Sequence, residues 1–139
     1  FSKTISIDAG QNFNKIVIDF NNKQANKTPV VVGLAKRNES KPEVEFDKED
    51  KTVVYWEPNI NNAGRTGTAL ILTNQKVQYI DSHEKQFLVK TVITNNKPFV
   101  YYNGAAWDKA GKITSFDQWE DAVEDYAEQI RKALNVKLK

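Results

Sequence analysis

The chain has 139 residues, 40% hydrophobic and 27% charged, which is the size and balance of one ordinary globular domain with a real core. Twenty basic against 18 acidic side chains leave a net charge of +2, so the sequence carries no basic footprint for nucleic acid or an anionic membrane, and no run approaches a membrane span. Cysteine is absent and histidine occurs once, at position 83, which excludes disulfide frameworks, thiolate zinc sites, cysteine nucleophiles and metal sites needing two histidines. No metal and no cofactor are expected, and neither nucleic acid nor membrane is an expected partner.

The first hundred residues read as strands. Phe1-Ser-Lys-Thr-Ile-Ser-Ile resembles a strand already under way, with Ile5 and Ile7 alternating against polar neighbours. Because methionine is also absent, a processed chain or a part of a longer protein is expected. Ile16, Ile18 and Phe20 then take one face of a second strand, opposite Lys15 and Asp19, and Asn21 to Gln24 turn the chain. Pro29 to Ala35 is apolar on both faces, the pattern of a central strand. A charged segment from Arg37 to Lys51 holds a short strand around Val44 and Phe46 and a turn at Asp47 to Asp50. Thr52 to Glu57 is a further strand, closed by Pro58, and Asn59 to Arg65 is a turn-rich loop.

Gly67 to Thr73 resumes the sheet, Lys85 to Thr94 is a longer apolar strand, and Asn95-Asn96-Lys97 turns into Pro98-Phe-Val-Tyr-Tyr. Short strands at this spacing, joined by polar turns, predict a mainly β chain folded as an antiparallel β-sandwich over residues 1–139. The end differs in kind. Ser115 followed by Gln118 forms a capping box, and Trp119, Val123, Tyr126, Ile130 and Leu134 make one apolar stripe at helical spacing. Six acids from Asp117 to Glu128 precede Arg131 and Lys132, the order that complements the helix dipole. A C-terminal helix over 115–134, packed on the sheet, is predicted.

Three patches concentrate the chemistry. In Tyr55-Trp56-Glu57-Pro58, with Arg65 across the next loop, an aromatic beside a carboxylate at a strand end suits a sugar. The apolar face of a pyranose stacks on a ring, its hydroxyls need acceptors, and an arginine can fork onto a uronate. The competing reading makes Trp56 core and pairs Arg65 with Glu57 or a turn carboxylate. In Asp81-Ser82-His83-Glu84, an imidazole beside acids is equipment for proton transfer, though a lone histidine in a polar loop also serves as a solvated residue.

The third patch is Tyr101-Tyr102-Asn103-Gly104-Ala105-Ala106-Trp107 and the residues to Gly111. Small residues between aromatics predict a tight turn that forms a sugar-stacking rim or pins Trp107 to Trp119. Nucleophile elbows, phosphate-binding glycine loops and dinucleotide fingerprints do not occur.

Gly33-Leu-Ala-Lys-Arg, Tyr55-Trp-Glu-Pro, Gly67-Thr-Ala and the ending Tyr101 to Gly111 with Phe116-Asp-Gln-Trp119, taken in this order, resemble the C-terminal half of an uncharacterised bacterial family. Its members occur near polysaccharide-degradation genes, are usually secreted or periplasmic, and look related to the galactose-mutarotase-like β-supersandwich. The resemblance implies a periplasmic or secreted location and an oligosaccharide or polysaccharide ligand. It also implies that an N-terminal half of the same parent protein would be a partner.

Two functions follow as expectations. One is part of a polysaccharide lyase- or glycosidase-like enzyme acting on uronate-bearing glycans, with His83 and Tyr102 as base or acid. In that reading Trp56, Glu57, Arg65, Tyr101 and Trp107 hold substrate. The other is a non-catalytic glycan-binding or structural β-sandwich.

Overall fold

Alternating apolar residues organise the described residues, 1–73, 76–80 and 85–137 of a computed structural model, into two antiparallel sheets and a helix. The strands are β1 (Ser2–Ile7), β2 (Phe13–Asp19), β3 (Lys27–Ala35), β4 (Glu43–Asp47), β5 (Thr52–Trp56), β6 (Thr66–Leu72), β7 (Gln78–Ile80), β8 (Gln86–Thr94) and β9 (Phe99–Trp107). A short 3-10 turn at Asp108–Ala110 leads on to the helix α1 (Phe116–Lys137). The larger sheet runs β1-β2-β9-β6-β5-β4 and the smaller β3-β8-β7. The expected mainly β architecture of antiparallel sheets with a C-terminal helix is what the chain adopts.

The period of two sorts each strand of the larger sheet onto two cores. Ile16, Val53, Tyr55, Leu70, Leu72, Phe99 and Tyr101 turn towards the smaller sheet and meet Leu34, Phe87, Val89 and Ile93. Phe13, Val54, Trp56, Ala69, Ile71 and Ala106 turn the other way and receive Trp119, Val123 and Ala127 of α1. The result is three layers, smaller sheet, larger sheet and helix. Each large apolar side chain sealed between them contributes roughly 1.5–3 kcal/mol.

Trp119 can lie flat on the larger sheet because two glycines leave room. A Cβ on Gly67 would sit 2.7 Å from Trp119 Cδ1, and one on Gly104 3.0 Å from its Cη2. Its indole N–H donates to the Thr68 carbonyl at 3.2 Å. The predicted cap forms in altered geometry. Ser115 Oγ accepts the Gln118 N–H at 3.3 Å, but Gln118 Oε1 reaches back to the Thr114 N–H at 2.8 Å rather than to that of Ser115. The helix runs to Lys137, three residues beyond the expected end at 134, and Arg131 pairs with Asp50 in the β4–β5 turn.

Two expectations are corrected, and one strand was not anticipated. The Pro29–Ala35 segment is an edge strand, not a central one: among the described residues β3 pairs only with β8, and Val31 stays half exposed. Proline in its first half has no N–H to give to a second neighbour, which fits an edge. The short strand β7 went unread because Gln78-Tyr-Ile is too brief to show a period. Tyr101 to Trp107 is no turn but the larger part of β9, in which Gly104 and Ala106 face Phe13 and Trp119 while Ala105 faces the other way.

The smaller sheet has half as many strands as the larger and covers only part of it. On the covered face, Ile5 and Ile7 of β1 remain 54% and 73% exposed, and so does the end of the sheet marked by Trp107.

Candidate functional site

Registers across the larger sheet place the predicted residues. Thr66 is paired with Trp107 on one side, and the Glu57 N–H donates to the Thr66 carbonyl on the other at 2.8 Å. Glu57, Thr66 and Trp107 therefore form one cross-strand row, on the face that the smaller sheet covers further along. Directly opposed residues in such a row stand about 5 Å apart. The next row holds Tyr55, Thr68 and Ala105, and the one after it Val53, Leu70, Asn103 and Asn14. These rows thus set an indole, an acid, two threonines, two asparagines and a small alanine on one face, with Tyr55, Val53 and Leu70 among them buried in the core between the sheets.

Trp107 is half exposed, yet its ring is fixed: Nε1 donates to the Ala63 carbonyl at 3.0 Å. Gly64, at φ +91, lies beneath it, where a Cβ would fall 2.8 Å from that nitrogen. Lys109 holds the same loop through the Asn62 carbonyl. Thr68 Oγ1 and Asn103 Oδ1, both on this face, are buried without a hydrogen-bond partner in the chain. Leaving such atoms unpaired is costly.

At the other end of the row, Glu57 is held by Arg37 Nε at 3.0 Å and is largely covered by it. That carboxylate raises the Arg37 guanidinium further above its usual value, by hydrogen bonding first and charge second. Tyr55 ties the β3–β4 loop to the same spot, since its hydroxyl donates to Glu39 and accepts the Arg37 N–H at 3.1 Å. Burial, with the Glu39 hydrogen bond next, raises the Tyr55 phenol far above its ordinary range.

The seven sequence-predicted residues do not form one site. Glu57 and Trp107 share the row described. Trp56 points the opposite way and is fully buried against α1, so it has no face to offer a sugar. Arg65 follows Trp56, not Trp107: its guanidinium lies 5.8 Å from the Trp56 ring and pairs with Glu43, while Nε donates to the Glu57 carbonyl at 2.8 Å. Tyr101 is a core residue between the sheets. Tyr102, one residue on, faces the helix side and stands edge-on to Tyr126 at 5.7 Å. Trp107 does not reach Trp119, which packs against Phe13. His83 and its neighbours lie outside the described residues.

Sequence reasoning missed Arg37, Thr68 and Asn103. Their signal was register: Arg37 is the cation that meets Glu57, and it stands in the Gly33 to Arg37 run that already carried the resemblance. Among the described residues no group of three or more His, Cys, Asp or Glu side chains is arranged to hold a metal ion, and no helix is long and apolar enough to cross a membrane.

The comparison with known families decides the chain's kinship. A model for a domain of unknown function, DUF4861, matches residues 1–136. The chain belongs to the DUF4861 family. A curated relative, uncharacterized protein P7 of Formosa agariphila, is 23% identical over 141 residues, covering 98% of this chain and 34% of that protein. The DUF4861 chain described here therefore spans about a third of the length of that relative. No solved structure matches it. The Trp107 row and the Trp119 seat both fall inside the DUF4861 match.

Proposed function

We propose that this chain is the glycan-binding part of a larger bacterial protein of polysaccharide breakdown, and that the Glu57–Thr66–Trp107 row is where a saccharide rests. The observation that carries the reading is Trp107 itself, half exposed but with its indole N–H already fixed to Ala63. A pre-set ring stacks on the apolar face of a pyranose at little entropic cost. Thr68 carries an unpaired polar atom one row along and Asn103 another two rows along, and Ala105 between Trp107 and Asn103 is small and exposed. Arg37 is the cation nearest the row's acid and the candidate partner for a uronate carboxylate, in place of Arg65. The resemblance to a family found near polysaccharide-degradation genes, usually secreted or periplasmic and similar to galactose-mutarotase-like proteins, supports the same reading.

Binding is favoured over turnover for a geometric reason. Tyr102 and Trp107 are five residues apart on one strand and so face opposite sides of the sheet, and Glu57 is held by Arg37 rather than free to move a proton. In a lyase- or glycosidase-like parent, which is the alternative, the remaining two-thirds of the protein would supply the acid and base, and its strands would cover Ile5 and Ile7. The test is titration of the 139-residue chain with uronate-bearing oligosaccharides, followed by tryptophan fluorescence. Saturable quenching that disappears in Trp107→Ala and survives in Tyr102→Phe is expected. Wild-type binding by Trp107→Ala, or no response to any oligosaccharide, would sink the proposal.

A further inference from the structure

On the opposite side of the larger sheet, a groove of about 660 Å³ runs between the second half of α1 and strands β2 and β9. Val100 and Tyr102 from the sheet and Tyr126, Ile130 and Leu134 from the helix give it an apolar body, and Thr73 and Gln129 are polar members of its wall. The groove exists because the helix packs chiefly over β5 and β6, with Trp119 let down by Gly67 and Gly104, and leaves the part of β2 beyond Phe13 and the start of β9 less covered. Leu134, the last residue of the apolar stripe, is 40% exposed at its mouth.

Two lysines reach this groove from the sheet side. Lys15 is the register partner of Tyr102, and Lys97 ends the β8–β9 turn just before Pro98. Among the described residues neither has a carboxylate within ion-pair distance; the ion pairs there are Arg37–Glu57, Arg65–Glu43, Arg131–Asp50 and Lys132–Glu128. Asp8 helps raise the Tyr126 phenol after burial has done most of it, and Asp19 lines a neighbouring pocket together with Lys97.

We infer that the groove is a second ligand site, for a small organic monoanion with a flat apolar body. The body lies between Tyr102 and Ile130, and the anionic head meets Lys15 and Lys97. Charge complementarity fixes the class. An uncharged apolar ligand would gain nothing from the two exposed ammonium groups, and a free saccharide would set most of its hydroxyls against Val100, Ile130 and Leu134, with Thr73, Gln129 and the tyrosines the neutral polar side chains of the lining. The site is on the far face of the sheet from Trp107, so it stands or falls independently of the glycan reading.

The experiment uses the chain labelled with nitrogen-15 and two matched probes, naphthoate and its neutral amide. Naphthoate is expected to shift backbone resonances of Tyr102 and Ile130 in a saturable way and to bind roughly two- to twentyfold tighter than the amide, the range two partly exposed ion pairs provide. Lys15→Gln with Lys97→Gln should erase that preference without changing the thermal melt, and Ala133→Trp, which fills the groove from an exposed helix position, should abolish both shifts. Equal binding of acid and amide would reduce the groove to a bare apolar surface and overturn the inference. Shifts confined to other residues, or unchanged binding in Ala133→Trp, would overturn it as well.

Discussion

Gly64 lies directly under the Trp107 indole, at a backbone φ of +91 that L side chains rarely adopt, and the nitrogen of that indole is bonded to the neighbouring Ala63 carbonyl. The loop and the ring thus hold each other. Gly64→Ala meets two obstacles at once, a strained backbone and a methyl against Trp107 Nε1 and the Asp108 carboxylate. A loss of about 1–3 kcal/mol is expected. Because the ring must also lift off Ala63, the near-ultraviolet circular dichroism of the folded protein should change. A variant with an unchanged melt and unchanged tryptophan bands would show that this loop does not set the indole.

The three tryptophans should separate cleanly in solution. Trp56 and Trp119 are fully buried, while Trp107 is half exposed. Iodide should therefore quench one component of the fluorescence, and Trp107→Phe should remove that component. Trp107→Ala falls outside both cores but removes the bond to Ala63, so it should cost about 0.5–1.5 kcal/mol. Trp119→Ala empties the space between helix and sheet and should cost about 3–5 kcal/mol. Equal costs for the two substitutions would contradict the layer arrangement.

That contrast shows how far the sequence could be read. The helix stripe from Trp119 to Leu134 was legible because a 3.6-residue period over sixteen positions has few rivals, and the longer strands were legible by alternation. The edge position of β3 was not, since Val30 to Val32 is apolar on both faces whether or not a neighbour covers it. Tyr101 to Trp107 misled for a different reason. Glycine and alanine there answer to Phe13 and Trp119, residues far away in sequence, and the same composition serves a turn equally well. The candidate site was half legible: Glu57 and Trp107 stand out as residue types, but only the pairing of β5, β6 and β9 puts them in one row and removes Trp56 and Arg65 from it.

Tyr55 joins the row to the β3–β4 loop, and its hydroxyl is the joint. It donates to Glu39 and accepts from the Arg37 backbone, so Tyr55→Phe leaves the aromatic body in the core and removes only those two bonds. A loss of about 1–2 kcal/mol is expected. The freed loop should also loosen the Arg37–Glu57 pair, which makes the Arg37 resonances exchange faster with solvent. A stability equal to wild type would mean that the loop is held from elsewhere.

The helix carries its own pH dependence. Glu120 and Glu124 lie above the usual carboxylate value, first because partial burial disfavours their charged form and then because neighbouring acids repel them, Glu124 by Asp50 and Asp121, Glu120 by Glu124 and Glu45. A carboxyl whose folded pKa is raised binds its proton more tightly in the folded chain. The stability it lends is therefore full below the unfolded value of 4.5 and is lost as pH rises through the folded value. Glu128 runs the other way, lowered by its hydrogen bond to Lys132. Glu120→Gln with Glu124→Gln should then raise the melting temperature at neutral pH and lose that advantage as pH falls through 4.5, while Glu128→Gln should lower it slightly at neutral pH only. Thermal melts of the three proteins between acid and neutral pH decide the point. Curves that stay parallel across the carboxylate range would mean that these glutamates are fully solvated and that α1 sits less closely on β5 than its packing requires.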